Sequence, residues 1–248
     1  MVDFLDKAPG RRARGRSRFT DVVAVIPAYN AAETIEPLVR KIRRRIRRCI
    51  VVDDGSDDQT GNRARRAGAQ LIVHPHNRGK GAALHSALAY LRDEQVSYAV
   101  LLDADGQHDP SEIHLLLEKA GRAHADVVCG TRMQNPGDMP QLRQRTNRLI
   151  SAVISWICRT RLTDAACGFR VISGRAIEVI RLHHPRFAVD QEMLVEAVRH
   201  GLTIAEAPVT SIYHEQAESH VRPVKDTLRF IRMFAGLAIL RLLRGRIA

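Results

Sequence analysis

Residues 98–109 read YAVLLDADGQHD, an apolar run that ends in two closely spaced carboxylates. The run lacks polar alternation, so it predicts a strand that is covered on both faces of its sheet. Asp103 and Asp105 follow the run and are separated only by Ala104. Two carboxylates at the end of a buried strand repel each other, and a divalent cation bound to a diphosphate would balance their charge. The stretch therefore predicts a metal and diphosphate site at this strand end, which Gln107, His108 and Asp109 could complete directly or through water.

The residue that closes this stretch has a simpler structural explanation. Asp109 precedes Pro110, a pair typical of a helix N-cap followed by proline at the first helical position. That pattern accounts for Asp109 but for neither Asp103 nor Asp105, so the carboxylate pair still needs a ligand.

Outward from this stretch, further apolar runs alternate with segments of helical pattern, which indicates an α/β fold with a largely parallel central sheet flanked by helices. Besides 98–102, the predicted strands cover residues 22–26, 49–52, 71–73 and 126–129. Later in the chain we expect helices over 142–158 and 190–200, a turn over 163–170, and a strand over 203–209.

Polar residues follow three of the predicted strands, at 27–30 (PAYN), 53–56 (DDGS) and 103–107 (DADGQ). Ligands of open parallel sheets bind outside the carboxyl ends of the strands, so all three segments should lie along one edge. Asp54 would accept hydrogen bonds there from a base or a ribose, whereas Asp57 is expected to cap the next helix.

Two familiar nucleotide motifs are missing. The first strand is not followed by G-x-G-x-x-G, which argues against an NAD-linked enzyme. The turn at Gly79-Lys80-Gly81 does not fit a Walker A loop, because Ser or Thr does not follow the lysine. It is either a helix N-terminus that assists phosphate binding or an ordinary turn.

The composition bounds the organisation of the chain. Its 248 residues, 45% hydrophobic, suit one domain, for which we predict a basic flexible arm over 1–20, a catalytic domain over 21–220 and a C-terminal helix over 221–248. A net charge of +12 points to polyanionic partners. The four cysteines show no metal-ligand spacing, and no signal peptide or spanning segment is visible, so we expect buried thiols in a cytoplasmic protein.

The C-terminal helix is predicted to be basic and amphipathic. Lys225, Arg229 and Arg232 share one face, while Phe230 and Phe234 fall elsewhere. This pattern favours peripheral contact with an anionic membrane. Packing on the catalytic domain or on a partner subunit, including a membrane protein, is the alternative.

The ordered set of motifs resembles glycosyltransferase family 2 with the GT-A fold, and within it the polyprenyl-phosphate (dolichyl-phosphate) hexose synthases. The resemblance covers roughly residues 22–234 and is carried by PAYN at 27–30, VDDGS at 52–56, Asn77 with GKG at 79–81, and DADGQH at 103–108. It implies an inverting transfer of a hexose from a nucleotide-diphosphate sugar to a polyprenyl phosphate or a related lipid.

The resemblance also assigns residues. The nucleoside would be held by Pro27, Tyr29, Val52 and Asp54. The diphosphate and its Mg²⁺ or Mn²⁺ would be held by Asp103, Ala104, Asp105 and Gln107. Arg132 would face the donor sugar or the phosphates, and Asp190 with Glu192 would form the acidic motif near the acceptor. Taken alone, Asp190 could instead be a helix N-cap with Glu192 in the first turn.

Donor and acceptor stay open at this point. Family members that use GDP-sugars often carry Arg and Lys in a late loop where this chain has His214 and His220, so the donor is UDP- or GDP-linked. A lipid phosphate acceptor is already anionic and needs no strong base, only cationic residues. The candidates for that charge are Arg132, Arg170, His214, His220 and Arg222. For a hydroxyl acceptor, Asp190 would be the base.

Two rival functions have little support. A nucleic-acid-binding module would be expected to carry aromatic or zinc-finger motifs, but aromatic residues make up 4% of the chain and no such motif is present. A nucleotidyltransferase usually has a Gly-rich loop directly after its first strand, where this chain has PAYN. We therefore expect a peripheral enzyme on the cytoplasmic face of a membrane, with no nucleic acid partner.

Overall fold

The structure is a computed structural model that describes residues 3–4, 21–134, 136–137, 139–184 and 188–212. Its strands are β1 Asp3–Phe4, β2 Val22–Ala28, β3 Arg48–Asp53, β4 Gln70–Val73, β5 Tyr98–Leu101, β6 Val127–Thr131, β7 Arg170–Ser173 and β8 Ile204–Pro208. Its α-helices are α1 Ala32–Arg43, α2 Thr60–Arg66, α3 Lys80–Arg92, α4 Ile113–Ala123, α5 Gln141–Cys158, α6 Gly174–Val179 and α7 Val189–Arg199. A short 3₁₀ turn, Pro110–Glu112, precedes α4.

In the described part of the chain, the strands form one sheet in the order β1-β4-β3-β2-β5-β7-β6-β8. The neighbours β4, β3, β2 and β5 are parallel, as are β6 and β8, while β1 and β7 run antiparallel to their neighbours. The predicted α/β fold with a mostly parallel sheet is confirmed, and each predicted strand is present with bounds shifted by no more than two residues.

Strand β7 was not predicted, because residues 163–170 read as a turn and the strand that follows is short and begins with an arginine. It runs antiparallel between β5 and β6. The two strands whose ends carry Asp103 and Arg132 are therefore separated by one antiparallel strand.

Both faces of the sheet are covered, as the apolar runs predicted. In β2, Val23 and Val25 pack in one hydrophobic core with α3, α5, α6 and α7. Ala24 and Ile26 of the same strand pack in the other core with α1, α2 and α4. A strand buried on both sides holds its carboxyl end rigidly, which suits a binding site.

The four cysteines are free and buried, as expected. Burial raises the pKa of Cys49 and Cys167 to about 12 and that of Cys129 to about 11, so these thiols are unreactive packing groups.

The predicted helix over 221–248 lies outside the described residues, as do His214, His220 and all of the predicted arm except Asp3–Phe4. Among the described helices, none is long and apolar enough to cross a membrane.

Candidate active site

The carboxyl ends of β2, β3 and β5 border one cleft of about 1040 Å³, as the strand-end rule predicted. All the predicted donor and catalytic residues within the described ranges line it, except Val52. They are Pro27, Tyr29, Asp54, Asp103, Ala104, Asp105, Gln107, Arg132 and Asp190. The side chain of Val52 is fully buried in the core, because it points to the face of the sheet that α3 covers.

The loops after β2 and β3 hold each other in place. The amide of Asn30 donates to Ser56 Oγ at 3.0 Å, and the amide of Asp57 donates to Asn30 Oδ1 at 3.0 Å. Asn30 adopts a left-handed φ of 48°, which asparagine tolerates better than most residues. Tyr29, next to it, is 45% exposed and presents an aromatic ring on which a nucleoside base could stack.

Asp54, the predicted nucleoside contact, is committed to its own chain. Its carboxylate accepts hydrogen bonds from the amides of Arg78 at 3.1 Å and Gly79 at 2.6 Å, and contacts His74 Nδ1 at 2.6 Å. Gly79 has a φ of 96°, a conformation that places its amide over the carboxylate and starts α3. Asp54 therefore anchors the N-terminus of α3 beside the cleft, and its predicted contact with a nucleoside stays a prediction.

Lys80, the first residue of α3, links two carboxylates of the site. Its Nζ lies 2.6 Å from Asp103 Oδ1 and 2.9 Å from Asp190 Oδ2. Burial alone would lower the pKa of Lys80, but Asp103 and Asp190 outweigh it and raise the pKa, so the ammonium stays charged. Lys80 therefore supplies part of the positive charge that was expected to balance the carboxylates at this strand end.

The two carboxylates of the DAD motif have opposite electrostatic settings. Burial acts to raise the pKa of Asp103, but Lys80 and the nearby His108 hold it well below its usual range. For Asp105, partial desolvation inside the cleft and then the negative charge of Asp103 raise the pKa. Asp105 is exposed to the cleft, and its Oδ1 accepts a hydrogen bond from the amide of Gln107 at 2.9 Å. Asp105 therefore carries the less compensated negative charge of the pair.

Asp103 fits closely against the loop before β7. A Cβ added at Gly168 would lie 2.1 Å from Asp103 Oδ2, so only glycine leaves room for this carboxylate. On its other side, His108 Nε2 lies 3.8 Å from the same oxygen. The position of Asp103 is thus fixed from several directions.

Arg132, at the end of β6, is held by a buried acid. Its Nε and Nη2 donate to the two oxygens of Asp164 at 2.7 and 2.9 Å, and its amide donates to the same carboxylate at 3.1 Å. Asp164 is fully buried, so this bidentate pair fixes the orientation of the guanidinium in the cleft wall.

Arg170 was proposed from the sequence as a cationic group for a lipid phosphate, and the structure corrects this. Its guanidinium is fully buried and donates to three backbone carbonyls, those of Ala165, Cys167 and Asp190. Arg170 therefore supports the site from behind, fixing the loop before β7 and the start of α7.

Three helix-cap alternatives are also resolved. Asp109 accepts from the amide of Ser111 at 2.8 Å ahead of Pro110, so the predicted cap is confirmed. The expected cap at Asp57 is wrong, because Asp58 accepts from the amide of Thr60 instead. Asp190 is not an N-cap, since α7 is preceded by Ala188 and Asp190 lies in its first turn.

Glu192 is not among the residues that line the cleft. Its carboxylate accepts hydrogen bonds from the amides of His183 at 2.8 Å and His184 at 3.0 Å. Of the predicted acidic motif, Asp190 therefore lines the cleft, while Glu192 orders the segment before α7.

The residues of the cleft suit a divalent cation that arrives with a diphosphate. Asp103 and Asp105 offer carboxylate oxygens, and Asp105 has spare acceptor capacity. The described residues contain no group of three or more acidic, His or Cys side chains that could hold a metal by themselves. Mg²⁺ is commonly bound by one or two carboxylates together with substrate phosphates, so the arrangement fits.

Two residues of the site, Lys80 and Asp164, were not predicted as such. Lys80 belongs to the noted Gly79-Lys80-Gly81 turn, but nothing local in the sequence indicates that its side chain reaches Asp103. Asp164 lies in a segment that read as a turn, and a search for an acid to pair with the predicted Arg132 would have been needed to find it.

Comparison with known proteins identifies the family. Residues 23–181 match the family model described as Glycosyl transferase family 2. A UDP-N-acetylglucosamine–dolichyl-phosphate N-acetylglucosaminyltransferase of Methanococcus voltae is 28% identical, with 78% of this chain and 86% of that protein covered. An undecaprenyl-phosphate mannosyltransferase of Micrococcus luteus is 29% identical, with 80% and 86% covered.

The fold has solved counterparts. Glucosyl-3-phosphoglycerate synthase of Mycobacterium tuberculosis, crystallised with Mn²⁺, UDP-glucose and phosphoglyceric acid, superposes with a TM-score of 0.68 at 17% identity, covering 88% of this chain and 80% of that one. This likeness confirms the GT-A fold that the resemblance implied. The family match, the relatives and the fold agree with the cleft geometry: the chain belongs to glycosyltransferase family 2 and is a glycosyltransferase similar to those that act on polyprenyl phosphates.

Proposed function

We propose that this enzyme transfers a hexose, with inversion, from a nucleotide-diphosphate sugar to a polyprenyl phosphate in a metal-dependent reaction. The observation that carries the proposal is the cleft at the ends of β2, β3 and β5. It gathers Asp103, Asp105 and Asp190, of which Asp103 and Asp190 pair with Lys80, and Arg132 lies in its wall. The names of the two relatives above support a lipid phosphate acceptor.

The donor lies along the cleft in this proposal. Its nucleoside packs against Tyr29, the exposed aromatic group of the β2 end. Asp103 and Asp105 would hold Mg²⁺ or Mn²⁺ together with the diphosphate, and the cation would supply positive charge to the leaving group. Arg132, held rigid by Asp164, contributes a fixed cationic group to the same region.

The chemical step is a single displacement. A phosphate oxygen of the acceptor attacks the anomeric carbon while the bond from that carbon to the nucleoside diphosphate breaks. The acceptor is anionic at neutral pH, so no side chain has to remove a proton. The two ion pairs of Lys80 hold the carboxylates of Asp103 and Asp190 in fixed positions beside the reaction centre.

The test is a panel of UDP- and GDP-sugars with Mg²⁺ or Mn²⁺, with and without polyprenyl phosphate. We expect release of nucleoside diphosphate only when lipid phosphate and metal are both present. A UDP-sugar is the first choice of donor, because the M. voltae relative and the M. tuberculosis structure name UDP-sugars. Release of pyrophosphate would show a nucleotidyltransferase, and release of nucleoside diphosphate with a saccharide alone would show a hydroxyl acceptor.

A hydroxyl acceptor is the second candidate, because Asp190 lines the cleft and is not a helix cap. The substitution Asp190→Asn separates the two. Turnover within about tenfold of the wild type is expected for a phosphate acceptor, whereas loss of a general base costs about 10²- to 10⁴-fold. Asp109→Asn, at the confirmed cap, is the control for a carboxylate outside the cleft.

We further propose that the enzyme works at the cytoplasmic face of a membrane. Four free, buried cysteines support a reducing compartment, and a polyprenyl phosphate acceptor requires a lipid phase. The test locates the labelled enzyme in right-side-out membrane vesicles prepared by cell fractionation. Its absence from the cytoplasmic side of these vesicles would contradict this placement.

A further inference from the structure

Helix α5 has an exposed apolar stripe on the side turned away from the core. Leu142, Leu149 and Trp156 are 63%, 54% and 48% exposed and follow each other at intervals of seven residues. Seven residues return a helix to within about 20° of the same direction, so the three side chains form one line. A monomeric soluble helix usually turns polar residues to this side.

The face of α5 opposite the stripe packs against the domain. Asn147, Ser151, Ile154 and Cys158 are buried against the domain. Three residues between the two faces, Ile150, Val153 and Ile157, are partly buried and pack against the same core. The core side of α5 is thus buried, while the three side chains of the stripe are about half exposed or more.

The charges beside the stripe have one sign. Arg145, Arg148 and Arg159 are exposed on and next to α5. The helix itself, residues 141–158, contains neither Asp nor Glu. An apolar line with arginines beside it, on a helix that contains no acidic residue, suits a membrane surface with an apolar interior and anionic headgroups.

The stripe also lies next to the cleft. Arg143, which follows Leu142 on α5, lines the cleft wall. The two other large apolar side chains exposed in the described ranges are Tyr29, in the cleft lining, and Ile212, whose amide donates to Gln107 O at 2.9 Å. Tyr29, Ile212 and the Leu142 end of the stripe therefore lie at or next to the cleft, and Leu149 and Trp156 continue the stripe along α5.

We propose that α5 is an interfacial helix that inserts Leu142, Leu149 and Trp156 into an anionic bilayer and sets the cleft mouth at the lipid surface. The inference rests on the proposed lipid phosphate acceptor, which such docking would deliver to the cleft without leaving the membrane. A bilayer suits this face better than the basic segment 213–248 of the same chain or the basic α5 of a second copy, since like charges repel.

Trp156 makes the proposal directly measurable, because it is the single tryptophan of the chain. Full-length protein is mixed with phosphatidylcholine vesicles, with or without phosphatidylglycerol and free of any polyprenyl phosphate. We expect a blue shift of the emission on the anionic vesicles, together with quenching by lipids brominated near the headgroup. Vesicle-bound protein whose tryptophan neither shifts nor is quenched would overturn the proposal.

A charge variant tests the arginines. Arg145→Gln/Arg148→Gln/Arg159→Gln should weaken binding to anionic vesicles by roughly tenfold to a hundredfold, since each arginine near an anionic surface contributes attraction. The matched control removes three exposed arginines elsewhere, in Arg40→Gln/Arg122→Gln/Arg175→Gln, whose side chains are 60%, 82% and 62% exposed. Equal loss in both triple variants would indicate net charge alone and overturn the role of α5.

Leu142→Ser/Leu149→Ser/Trp156→Ser tests the stripe by flotation, with an unchanged unfolding midpoint as the check on folding. Flotation equal to the wild type would overturn the proposal. So would protection of Trp156 from acrylamide in the lipid-free protein, which would indicate cover by segment 213–248. A blue shift that grows with protein concentration without vesicles would indicate a second copy and also overturn it.

Failure of the proposed function looks different. Wild-type protein that inserts Trp156 but transfers no sugar to polyprenyl phosphate would refute the acceptor and leave the docking helix in place. Wild-type protein that transfers sugar to a short, water-soluble polyprenyl phosphate but shows no insertion would refute the docking helix alone.

Discussion

Asp54 at the end of β3 and Asp105 at the end of β5 have similar settings in the sequence but different ones in the structure. Each follows a buried strand and another aspartate within two residues. Asp54 is 3% exposed and receives hydrogen bonds from Arg78 and Gly79. Asp105 is exposed to the cleft and receives one hydrogen bond, from the amide of Gln107.

The difference shows that a carboxylate at a strand end is a ligand candidate only if no other segment covers it. At the β3 end, the turn before α3 folds over Asp54 and uses its oxygens. At the β5 end, the same turn contributes only the side chain of Lys80, which reaches Asp103 and leaves Asp105 open. The same turn thus occupies the oxygens of Asp54 at one strand end and places a positive charge beside Asp103 at the other.

The largest effect is expected at Arg170, on which the β5 side of the cleft depends. Arg170→Met leaves the carbonyls of Ala165, Cys167 and Asp190 without their buried donor. We expect a loss of about 3–5 kcal/mol in the free energy of unfolding, because buried polar groups are left unpaired. Urea unfolding measures it. Arg175→Met, on an exposed side chain, is the control, and a loss below about 1 kcal/mol for Arg170→Met would contradict the supporting role.

The next effect concerns Asp105 itself. Asp105→Asn keeps an oxygen for the amide of Gln107 but removes the negative charge that faces the cleft. We expect kcat/KM to fall about 10²- to 10³-fold, as when one electrostatic contact to a developing charge is removed. The unfolding midpoint should be unchanged. Activity within about threefold of the wild type at saturating Mn²⁺ would contradict a metal or diphosphate role.

Asp54→Asn tests the carboxylate at the end of β3. In contrast to Asp105→Asn, it should lower the stability and leave the binding of the ligand nearly unchanged. The neutral side chain weakens charge-assisted hydrogen bonds from Arg78 and Gly79, so we expect about 1–3 kcal/mol of lost stability. Affinity for the nucleoside diphosphate, measured by calorimetry below the unfolding midpoint, should change less than about threefold. A tenfold weaker affinity at unchanged stability would instead support Asp54 as a direct nucleoside contact.

The sequence was sufficient for six of the eight described strands and for the line of strand ends, because both are local signals. Apolar runs such as residues 98–102 mark strands that are buried on both faces, and the strand-end rule then places Tyr29, Asp54 and Asp103 at one edge. No pairing partner has to be known for that inference. The antiparallel strand β7 was not predicted in this way, since four residues that begin with an arginine resemble a turn.

The roles of individual charges could not be predicted, because they depend on contacts distant in sequence. Lys80 meets Asp190 across 110 positions, and Arg132 meets Asp164 across 32. Arg170 was read as a phosphate ligand, since nothing local shows that three carbonyls converge on it. The type of a residue indicates what it can bind, whereas burial decides which partner it takes.

The smallest expected effect distinguishes two neighbours at the covered end, Asp57 and Asp58. Asp58 accepts from the amides of Ala32 at 3.0 Å and Thr60 at 2.8 Å, so it ties the starts of α1 and α2 together. Both residues are exposed, so water competes for these bonds, and Asp58→Ala should cost about 1 kcal/mol. Asp57→Ala should cost less than about 0.5 kcal/mol, because only its backbone is engaged. Equal losses in the free energy of unfolding, measured in urea, would mean that only backbone hydrogen bonds hold the loop after β3. Of the aspartates in this loop, Asp54 alone would then contribute to its stability through its side chain.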